Sequence, residues 1–469
     1  MPERPALIWF RDDLRLADNP ALSAAATFGA PVVALYILDD ESVELRPLGG
    51  ASRWWVAQSL RSLSAQLAQF GIPLVLRRGR SAAVLADLVR ETDAAHVYFN
   101  RRYGYPSELD RRIESVLRKD GVGIETFAAS LLFEPSAIRS KTGTPLRVFT
   151  PFWKAATARD EPRQPLKAPM KLRGAKPVRS DTLEDWRLEP TKPCWSGGLR
   201  ETWTPGEAGA KKRLSDFIGH SLSGYDRARD RPDRNLTSRI SPHLRFGELS
   251  PFQVWHAVRA AQDSGDVNAS DAERFLTEIG WREFSYHLLH QFPELAGKNF
   301  QSRFDAFSWA GDETLLVRWQ RGRTGYPMVD AGMRELWHTG FMHNRVRMIV
   351  ASFLVKHLLI DWRAGERWFW DTLIDADPAN NTASWQWVAG SGADAAPYFR
   401  IFNPTLQGEK FDPDGNYVRR WVPELAHLRG EVIHRPTRPE APNYPEPIVD
   451  HVRARARALS AFERTRSAT

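Results

Sequence analysis

The sequence predicts an α/β unit with a doubly wound parallel sheet, followed by an all-α unit. Three observations support this prediction. Short apolar runs alternate with amphipathic stretches over residues 1–130, as they do when parallel strands are buried between crossover helices. Helical periodicity dominates from Gly206 to a last helix expected over Asp450–Glu463. A chain of 469 residues is also too long for one ordinary core, so at least two domains are expected.

Five apolar runs in the first part of the chain are predicted to be strands. They are Ala6–Phe10, Pro31–Leu38, Pro73–Arg78, His96–Asn100 and Ile124–Phe127. The helices between them are expected near Pro20–Phe28, Ser52–Phe70, Ser81–Glu91 and Ser107–Lys119. Right-handed crossovers in this order give a Rossmann-like sheet. The first strand is followed by Arg11 and Asp12 rather than by a glycine-rich turn, so this unit is not expected to bind a dinucleotide in the usual manner of that fold.

The predicted domain boundaries follow from a change of composition. Residues 131–200 are rich in Pro, Lys and Arg and show little periodicity, so we interpret them as a linker wrapped over the surface. The α/β unit then comprises residues 1–130, and the helical unit comprises residues 201–469.

Two helices in the C-terminal half carry unusual polar residues. One is predicted to begin at Pro327 and to end at Gly340, because Pro suits a first helical turn and Gly suits a C-terminus. The next begins near Asn344 and projects Asn344, Arg347 and Met348 from one face of its first turn. A helix N-terminus that presents Asn and Arg favours an anion or an electron-rich ring.

The composition limits the class of protein and its compartment. The net charge of +8 favours a polyanionic partner such as nucleic acid without proving one. Cys194 is the only cysteine, so no internal disulfide is possible and a cytoplasmic location is expected. The chain has no apolar run as long as a membrane span, and its N-terminus lacks the pattern of a secretion signal.

Three groups of residues carry candidate binding chemistry. The first follows Tyr225, where Thr237, Ser238 and Ser241 offer hydroxyl and backbone donors at a helix start beside Arg239. Such a cluster can hold a phosphate by charge-assisted hydrogen bonds. The alternative interpretation is a capped helix with a solvated basic face.

The second group is Glu278, Trp281 and Arg282, which share one helical face. An aromatic plane between a carboxyl and a guanidinium can stack on a base and hydrogen-bond its edge. The alternative is an ion pair between Glu278 and Arg282 beside a packed Trp, which is common on helices.

The third group is Asp375, Asp377 and Asn381, whose side chains can line a polar heterocycle. The alternative is Asx-turn chemistry, which Asp and Asn perform routinely in such a loop. Metal binding by the two aspartates is discounted, because no third ligand lies at a convincing spacing. No metal site is therefore predicted.

Six sequence blocks resemble the photolyase/cryptochrome family. They are WFRDDLRLADNPAL, TSRISPHLRFGELSP, EIGWREF, GYPMVDAGMRELWHTGFMHNRVRM, SFLVKHLLIDWR and NNTASWQWVAGSGADAAPYFRIFNP, which follow one another in family order and span nearly the whole chain. The resemblance implies an N-terminal α/β antenna domain and a C-terminal helical domain that holds FAD in a folded, U-shaped conformation.

The resemblance also implies which residues hold FAD. The hydroxyl cluster and Arg282 would contact the diphosphate and adenine side, and Asn381 would lie against N5 of the flavin ring. Arg347, paired with Asp375, would offset charge near the ring, because a cation stabilises a reduced flavin. The full set of expected contacts is Tyr225, Thr237, Ser238, Arg239, Ile240, Ser241, Phe275, Glu278, Arg282, Asn344, Arg347, Asp375, Ala376, Asp377 and Asn381.

On the substrate side, the resemblance implies UV-damaged DNA whose damaged bases leave the duplex. Trp281 and Trp387 would form two aromatic walls around the lesion. Glu278 would hydrogen-bond the pyrimidine carbonyl edge, and Asn344 and Met348 would complete the floor. Contacts with the DNA are expected from Arg229, Glu278, Trp281, Asn344, Arg345 and Trp387.

Met348 favours one lesion over another. Relatives that repair (6-4) lesions carry His at the matching position, where it does acid–base work, and Met cannot move a proton. The resemblance therefore implies a carbon–carbon lyase that splits cyclobutane pyrimidine dimers with an electron from light-excited, reduced FAD. A cryptochrome-type blue-light photoreceptor is the alternative, and a (6-4) photolyase is a third interpretation that Met348 disfavours.

Two further functions follow from the resemblance. Trp385, Trp362 and Trp309 match an electron relay from the flavin to the surface. The stretch Gly49–Trp55 resembles plant cryptochromes and their bacterial photolyase relatives, so methenyltetrahydrofolate is the expected antenna pigment and a deazaflavin is the alternative. No antenna residue is carried over, because residues 100–102 depart from the pattern of some folate-binding members. A monomer is expected.

Overall fold

The structure, a computed structural model, describes residues 3–395 and 399–467. Within these residues the first unit alternates strands and helices, as predicted. They are β1 (Ala6–Phe10), α1 (Pro20–Phe28), β2 (Val32–Leu38), α2 (Gly50–Ala68), β3 (Leu74–Arg78), α3 (Ser81–Thr92), β4 (His96–Asn100), α4 (Pro106–Lys119) and β5 (Gly123–Phe127). Every strand pairing in this part of the chain is parallel and the order is β3-β2-β1-β4-β5, which confirms the doubly wound, Rossmann-like sheet.

The two central strands β1 and β2 are buried along their whole length because both faces of the sheet are covered. Leu7 and Trp9 of β1 pack in one core cluster, and Ile8 and Phe10 pack in another on the opposite face. Successive side chains of a strand point to opposite faces, so a strand buried on both sides is a continuous apolar run. This is why the sequence located each strand to within one residue.

The polar segment after β1 joins the two units. The guanidinium of Arg15 is buried and donates hydrogen bonds to the main-chain oxygens of Ala129 (3.2 Å) and Gly247 (2.8 Å). The backbone N–H of Leu16 donates to a carboxylate oxygen of Glu207 at 2.7 Å. The residues that stand in place of a glycine-rich turn are therefore used for contacts between the units.

The segment predicted as a linker contains a helix that the sequence analysis missed. Residues 131–200 are largely irregular, but α5 (Phe149–Thr157) lies within them and α6 (Gly197–Thr202) begins at their end. The prediction failed for α5 because nine residues are too few for periodicity to separate a helix from a loop. The domain boundaries themselves stay a prediction.

The rest of the described chain is helical. Its α-helices are α7 (Glu207–His220), α8 (Tyr225–Ala228), α9 (Ser241–Arg245), α10 (Pro251–Asp263), α11 (Ala269–Gln291), α12 (Glu313–Gln320), α13 (Pro327–Thr339), α14 (Asn344–Ser352), α15 (Trp362–Thr372), α16 (Asn380–Ala389), α17 (Pro404–Phe411), α18 (Asn416–Trp421) and α19 (His451–Ser467). Short 3-10 turns lie at Pro293–Ala296, Ser302–Ala306, Pro423–Leu425 and Gly430–His434, and a π-helical turn lies at Phe353–His357. No helix of residues 3–395 and 399–467 is long and apolar enough to cross a membrane.

The predicted helix boundaries agree closely with the structure. Helix α13 begins at Pro327 and is followed by Gly340, whose φ of 65° explains why glycine ends it. Helix α14 begins at Asn344 as predicted, while α19 runs four residues beyond the predicted end. The last of the six blocks includes residues 396–398, which lie outside the described residues.

A close helix crossing places the start of α14. A Cβ at Gly332 in α13 would lie 2.4 Å from a methyl group of Val346, so only glycine allows this approach. Val346 lies between Asn344 and Arg347, the two polar residues singled out in the sequence. The packing of α13 on α14 therefore sets the position of both.

Glu248 forms a buried polar joint between the units. One carboxylate oxygen accepts hydrogen bonds from the indole N–H of Trp55 (3.1 Å), the hydroxyl of Ser59 and the backbone N–H of Gly206 (2.7 Å). The other oxygen contacts Nδ1 of His243. Because Glu248 is fully buried, each of these donors depends on it for a partner.

We expect Glu248→Ala to lower the free energy of unfolding by about 3 kcal/mol, because it leaves several buried donors unpaired. The midpoint of chemical denaturation measures the change. Glu201→Ala is the matched control, since that side chain is 75% exposed and its loss should shift stability by no more than about 0.5 kcal/mol. Equal midpoints for the two variants would contradict the joint.

Candidate functional site

A cavity of about 340 Å³ opens between α9, α11, α14 and α16, a size typical of cofactor sites. All residues that the sequence analysis expected around FAD lie in its lining. These are Tyr225, Thr237, Ser238, Arg239, Ile240, Ser241, Phe275, Glu278, Arg282, Asn344, Arg347, Asp375, Ala376, Asp377 and Asn381. Of the remaining predicted residues, Arg229, Trp281, Met348 and Trp385 also line the cavity, whereas Arg345, Trp387, Trp309 and Trp362 do not.

One end of the cavity carries hydroxyl groups and a cation. Ser241 donates from Oγ to Oδ2 of Asp375 at 2.6 Å. The hydroxyls of Thr237 and Ser238 make no hydrogen bond within the described residues. Arg239 has a φ of 52° and holds its guanidinium 3.5 Å from the buried carboxylate of Glu335. This end therefore offers two free hydroxyl donors beside a positive charge, which suits a phosphate.

The buried carboxylate of Asp375 is only half satisfied. Oδ2 accepts hydrogen bonds from Ser241 and from the guanidinium of Arg347, the latter at 2.8 Å. Oδ1 is buried and has no hydrogen-bond partner among the described residues. A buried acceptor without a partner is costly, so this oxygen fits a ligand that donates a hydrogen bond here. FAD carries such donors in its ring N–H and ribityl hydroxyl groups, so the residues present fit that cofactor.

The amide of Asn381 has a defined orientation. Its Nδ2 donates to Oε1 of Glu366 at 2.8 Å, and that carboxylate makes a bidentate ion pair with Arg46 at 2.6 and 3.1 Å. A carboxylate paired with Arg only accepts, so the amide must present its N–H to Glu366. The acceptor Oδ1 is thereby left for the cavity.

Asp377 performs the Asx-turn chemistry that the sequence analysis gave as an alternative. Its Oδ1 accepts hydrogen bonds from the backbone N–H groups of Ala379 (2.9 Å) and Asn380 (2.8 Å) at the start of α16. Its Oδ2 accepts from the hydroxyl of Tyr286 at 2.6 Å. Burial and the nearby carboxylate raise the pKa of Tyr286, so this hydroxyl stays protonated and keeps donating. Although Asp377 lines the cavity, it shapes the loop.

His343 fixes the N-terminus of α14. Its Nδ1 accepts a hydrogen bond from the backbone N–H of Arg345 at 3.2 Å. Burial lowers the pKa of His343 to about 4, so the imidazole is neutral at pH 7 and Nδ1 keeps its lone pair. The cap holds the first turn, from which Asn344, Arg347 and Met348 reach the cavity.

The expected DNA-contacting arginines are held in ion pairs. Arg229 pairs with Glu278, and Arg345 pairs with Asp230 at 2.6 Å. The alternative pair between Glu278 and Arg282 does not form, because Arg282 donates instead to the main-chain oxygen of Ser130 at 2.7 Å. The side chain of Arg229 is 10% exposed, so it belongs to the cavity wall rather than to an open surface.

The two tryptophans expected as lesion walls occupy different places. Trp281 lines the main cavity and stacks on Phe149. Trp387 lies beside a smaller cavity of about 30 Å³ that Lys356 and Phe399 also line. The structure thus places Trp281 in the wall of the main cavity and Trp387 in the wall of the smaller one. Val388, which follows Trp387 in α16, lines both cavities.

Two of the three tryptophans expected in the electron relay are buried, and the third is partly exposed. Trp385 lines the cavity and is buried, and Gly365 allows its ring to approach, since a Cβ there would lie 2.1 Å from it. Trp362 is buried and donates its indole N–H to Asn299 at 2.9 Å. Trp309 is partly exposed.

A second cavity of about 190 Å³ lies where the two units meet. It is lined from the first unit by Arg46, Tyr36 and Arg102 and from the helical unit by Trp370 and Thr382, with other residues. The guanidinium of Arg46 lies 4.1 Å from the ring centroid of Trp370. Arg46 therefore contacts this cavity and, through Glu366, the amide in the main one.

Sequence reasoning missed the residues that act on the site from a distance. Glu366 contacts the predicted residue Asn381, and Phe149 contacts the predicted residue Trp281. Arg46 acts through Glu366, and each of the three lies at least 15 residues from its partner along the chain. No local pattern marks them, because their partners are chosen by packing. A long-range pairing of this kind needs the tertiary structure.

The sequence is similar to known proteins over both units. The family described as DNA photolyase matches residues 6–170, and the FAD binding domain of DNA photolyase matches residues 275–464. The deoxyribodipyrimidine photo-lyase of Agrobacterium fabrum (strain C58) is 52% identical over 99% of this chain and 99% of its own length. Cryptochrome-1 of Arabidopsis thaliana is 38% identical over 97% of this chain and 70% of its own length.

Solved structures agree with these relatives. A bacterial class III photolyase from Agrobacterium tumefaciens superimposes with a TM-score of 0.96 at 51% identity, covering 100% of this chain and 98% of that chain. An archaeal photolyase from Sulfolobus tokodaii, solved with two FAD molecules, gives 0.82 at 30% identity and covers 98% of this chain and 100% of its own. Since similarity of this extent spans both units, the chain belongs to the photolyase/cryptochrome family, and its C-terminal unit carries the FAD-binding domain of that family.

Proposed function

We propose that this protein is a light-driven deoxyribodipyrimidine photo-lyase that splits cyclobutane pyrimidine dimers in UV-damaged DNA. The observation that carries the proposal is the single cavity in which the expected FAD contacts meet Trp281 and Met348 of the substrate side. Full-length similarity to an enzyme of this name supports it. FAD, when bound and reduced, supplies one electron on excitation by light and recovers it after the ring opens.

The protein's own residues hold and tune the cofactor. The hydroxyls of Thr237 and Ser238 and the cation of Arg239 would bind the diphosphate. The pair of Arg347 and Asp375 places a positive charge beside the flavin ring, where it stabilises negative charge. Asn381, whose N–H group is engaged by Glu366, would present Oδ1 to the flavin ring as an acceptor.

The side of the cavity that would receive the DNA lesion is formed by Trp281, Glu278 and Met348. Trp281 stacks on the extruded dimer, and Trp387 stands as the second wall beside it. When the lesion enters, Glu278 leaves its ion pair with Arg229 and hydrogen-bonds the pyrimidine edge, because Arg229 and the lesion compete for the same carboxylate. Met348 offers no proton, which favours cyclobutane dimers over (6-4) lesions.

The second cavity is the proposed site of an antenna pigment. Methenyltetrahydrofolate is favoured and a deazaflavin is the alternative. Arg46 and Arg102 provide cations for an acidic group, and Trp370 provides an aromatic wall for a ring. The pigment would contact Arg46, whose ion-pair partner Glu366 accepts a hydrogen bond from Asn381. A monomeric state and a cytoplasmic location stay predictions.

The test of the function is repair in light and in darkness. We expect reduced holoprotein to restore intact thymines in a dimer-containing oligonucleotide under blue light and to restore none in the dark. Chromatographic counting of thymines measures the result, and an undamaged oligonucleotide is the control. Equal counts in light and darkness would reject repair and leave a cryptochrome-type photoreceptor, as the similarity to Cryptochrome-1 allows.

Trp281→Ala tests the aromatic wall. We expect it to weaken binding to dimer-containing DNA by about 1–3 kcal/mol, the usual value of one base stacked on an aromatic side chain. Fluorescence anisotropy of a labelled duplex measures the affinity. Trp337→Ala is the matched control, because Trp337 is 57% exposed and does not line the cavity. An unchanged affinity for Trp281→Ala would mean that another residue forms the wall.

Asp375→Asn tests the cofactor site. The single oxygen of an amide cannot accept hydrogen bonds from Arg347, Ser241 and the ligand at the same time. We therefore expect FAD to bind about 10- to 100-fold more weakly, which is the contribution of one hydrogen bond to a charged group. Reconstitution of apoprotein with FAD, followed by flavin fluorescence, measures the dissociation constant. Asp87→Asn, at a side chain that is 64% exposed, is the control. Equal constants for both variants would place the flavin elsewhere.

A further inference from the structure

Two residues outside the cavity join the rings of Trp281 and Trp387 to each other. The ring of Trp281 lies on that of Phe149, with centroids 3.8 Å apart and planes 8° from parallel. The backbone N–H of Phe149 donates to Oδ2 of Asp394 at 3.2 Å. The indole N–H of Trp387 donates to the main-chain oxygen of Asp394 at 3.0 Å. A continuous path therefore runs from one ring to the other through Phe149 and Asp394.

The Phe149 end of this path is closely packed. Helix α5 packs closely on α11, because a Cβ at Gly280 would lie 2.7 Å from the ring of Trp153. Phe149 also contacts Phe284 edge-on, with centroids 5.9 Å apart. The residue that precedes α5 offers no side-chain cap, so the carboxylate of Asp394 supplies one from a distant loop. A negative charge at a helix N-terminus is favourable.

The Asp394 end is equally constrained. Asp394 has a φ of 53°, a left-handed conformation that Asp and Asn tolerate better than other residues with a Cβ. The loop before it folds back tightly on α16, since a Cβ at Gly392 would lie 2.7 Å from the backbone nitrogen of Trp387. Gln301 holds this loop by donating to the main-chain oxygen of Gly392 at 3.0 Å.

The geometry points to Phe149 and Asp394 as positioning residues that set the separation of the Trp281 and Trp387 rings before DNA arrives. The inference rests on the proposed function, because the object between the rings is the extruded dimer. Rings that are held at the required separation in advance lose little conformational entropy when the lesion enters. This positioning therefore raises the affinity for damaged DNA relative to undamaged DNA and leaves the affinity for undamaged DNA unchanged.

The first test replaces the ring that supports Trp281. We expect Phe149→Leu to reduce the ratio of affinities for a dimer-containing duplex and its undamaged counterpart by about two- to tenfold, the value of one aromatic pair. Phe152→Leu is the matched control, since Phe152 lies on the same helix and packs on Phe284 and His287 but makes no ring contact with Trp281. A structural effect alone would change both variants equally and would overturn the inference.

The second test separates the side chain of Asp394 from its backbone. Asp394→Gly keeps the left-handed conformation and the main-chain oxygen but removes the cap of α5, so we expect the affinity ratio to fall. Asp394→Asn keeps an acceptor oxygen and should restore the ratio. Equal ratios for the glycine and asparagine variants would overturn the assignment of Asp394.

A double variant shows whether Phe149 acts through Trp281. Phe149→Leu combined with Trp281→Ala should bind damaged DNA as Trp281→Ala does alone, because the supported ring is already gone. Additive losses would contradict positioning. FAD content and melting temperature establish that each variant folds, and if Phe149→Leu does not fold, the comparison at Asp394 decides.

The affinities of the wild-type protein for damaged and undamaged DNA separate a failure of the proposed function from a failure of the positioning role alone. A wild-type protein with no preference for damaged DNA would reject the proposed function itself. A wild-type protein with that preference, combined with unchanged ratios in Phe149→Leu and Asp394→Gly, would reject only the positioning role.

Discussion

The buried carboxylate of Asp375 is the interaction on which the cavity depends. It accepts hydrogen bonds from Ser241 at the start of α9 and from Arg347 in the first turn of α14, and it precedes α16 by a few residues. A charge in this position is costly unless it is paired, so the three elements can meet only in an arrangement that pairs it. Its second oxygen remains without a protein partner, which makes the cavity specific for a ligand that donates a hydrogen bond.

The same principle links the two units of the chain. Arg46, in the segment between β2 and α2, neutralises Glu366 of α15, and Glu366 in turn orients the amide of Asn381. Glu248 joins α2 to the loops around α7 and α9 in a comparable way. The N-terminal unit therefore contributes to the site by fixing charges behind its wall, although the main cavity is lined by the helical unit.

The parts of the fold that the sequence predicts well are those with a local physical cause. Strands buried on both faces are apolar runs, Pro327 and Gly340 delimit α13, and the residues of one helical turn share a face. The predictions were less successful where a contact between distant segments decides the outcome. Helix α5, whose first backbone N–H donates to Asp394 in a distant loop, was missed, and Trp387 lines the smaller cavity rather than the main one.

The sequence by itself determined the order of the elements, the residue types at the cavity and the family to which their pattern is similar, because these depend on neighbours along the chain. Only the tertiary structure decided which oxygen of Asp375 is unpaired, which way the amide of Asn381 faces and what supports the ring of Trp281. Each of these depends on a partner at least 15 residues away. Such partners are selected by packing and by the cost of leaving a buried polar group unpaired, and neither cause leaves a mark in a local stretch of sequence.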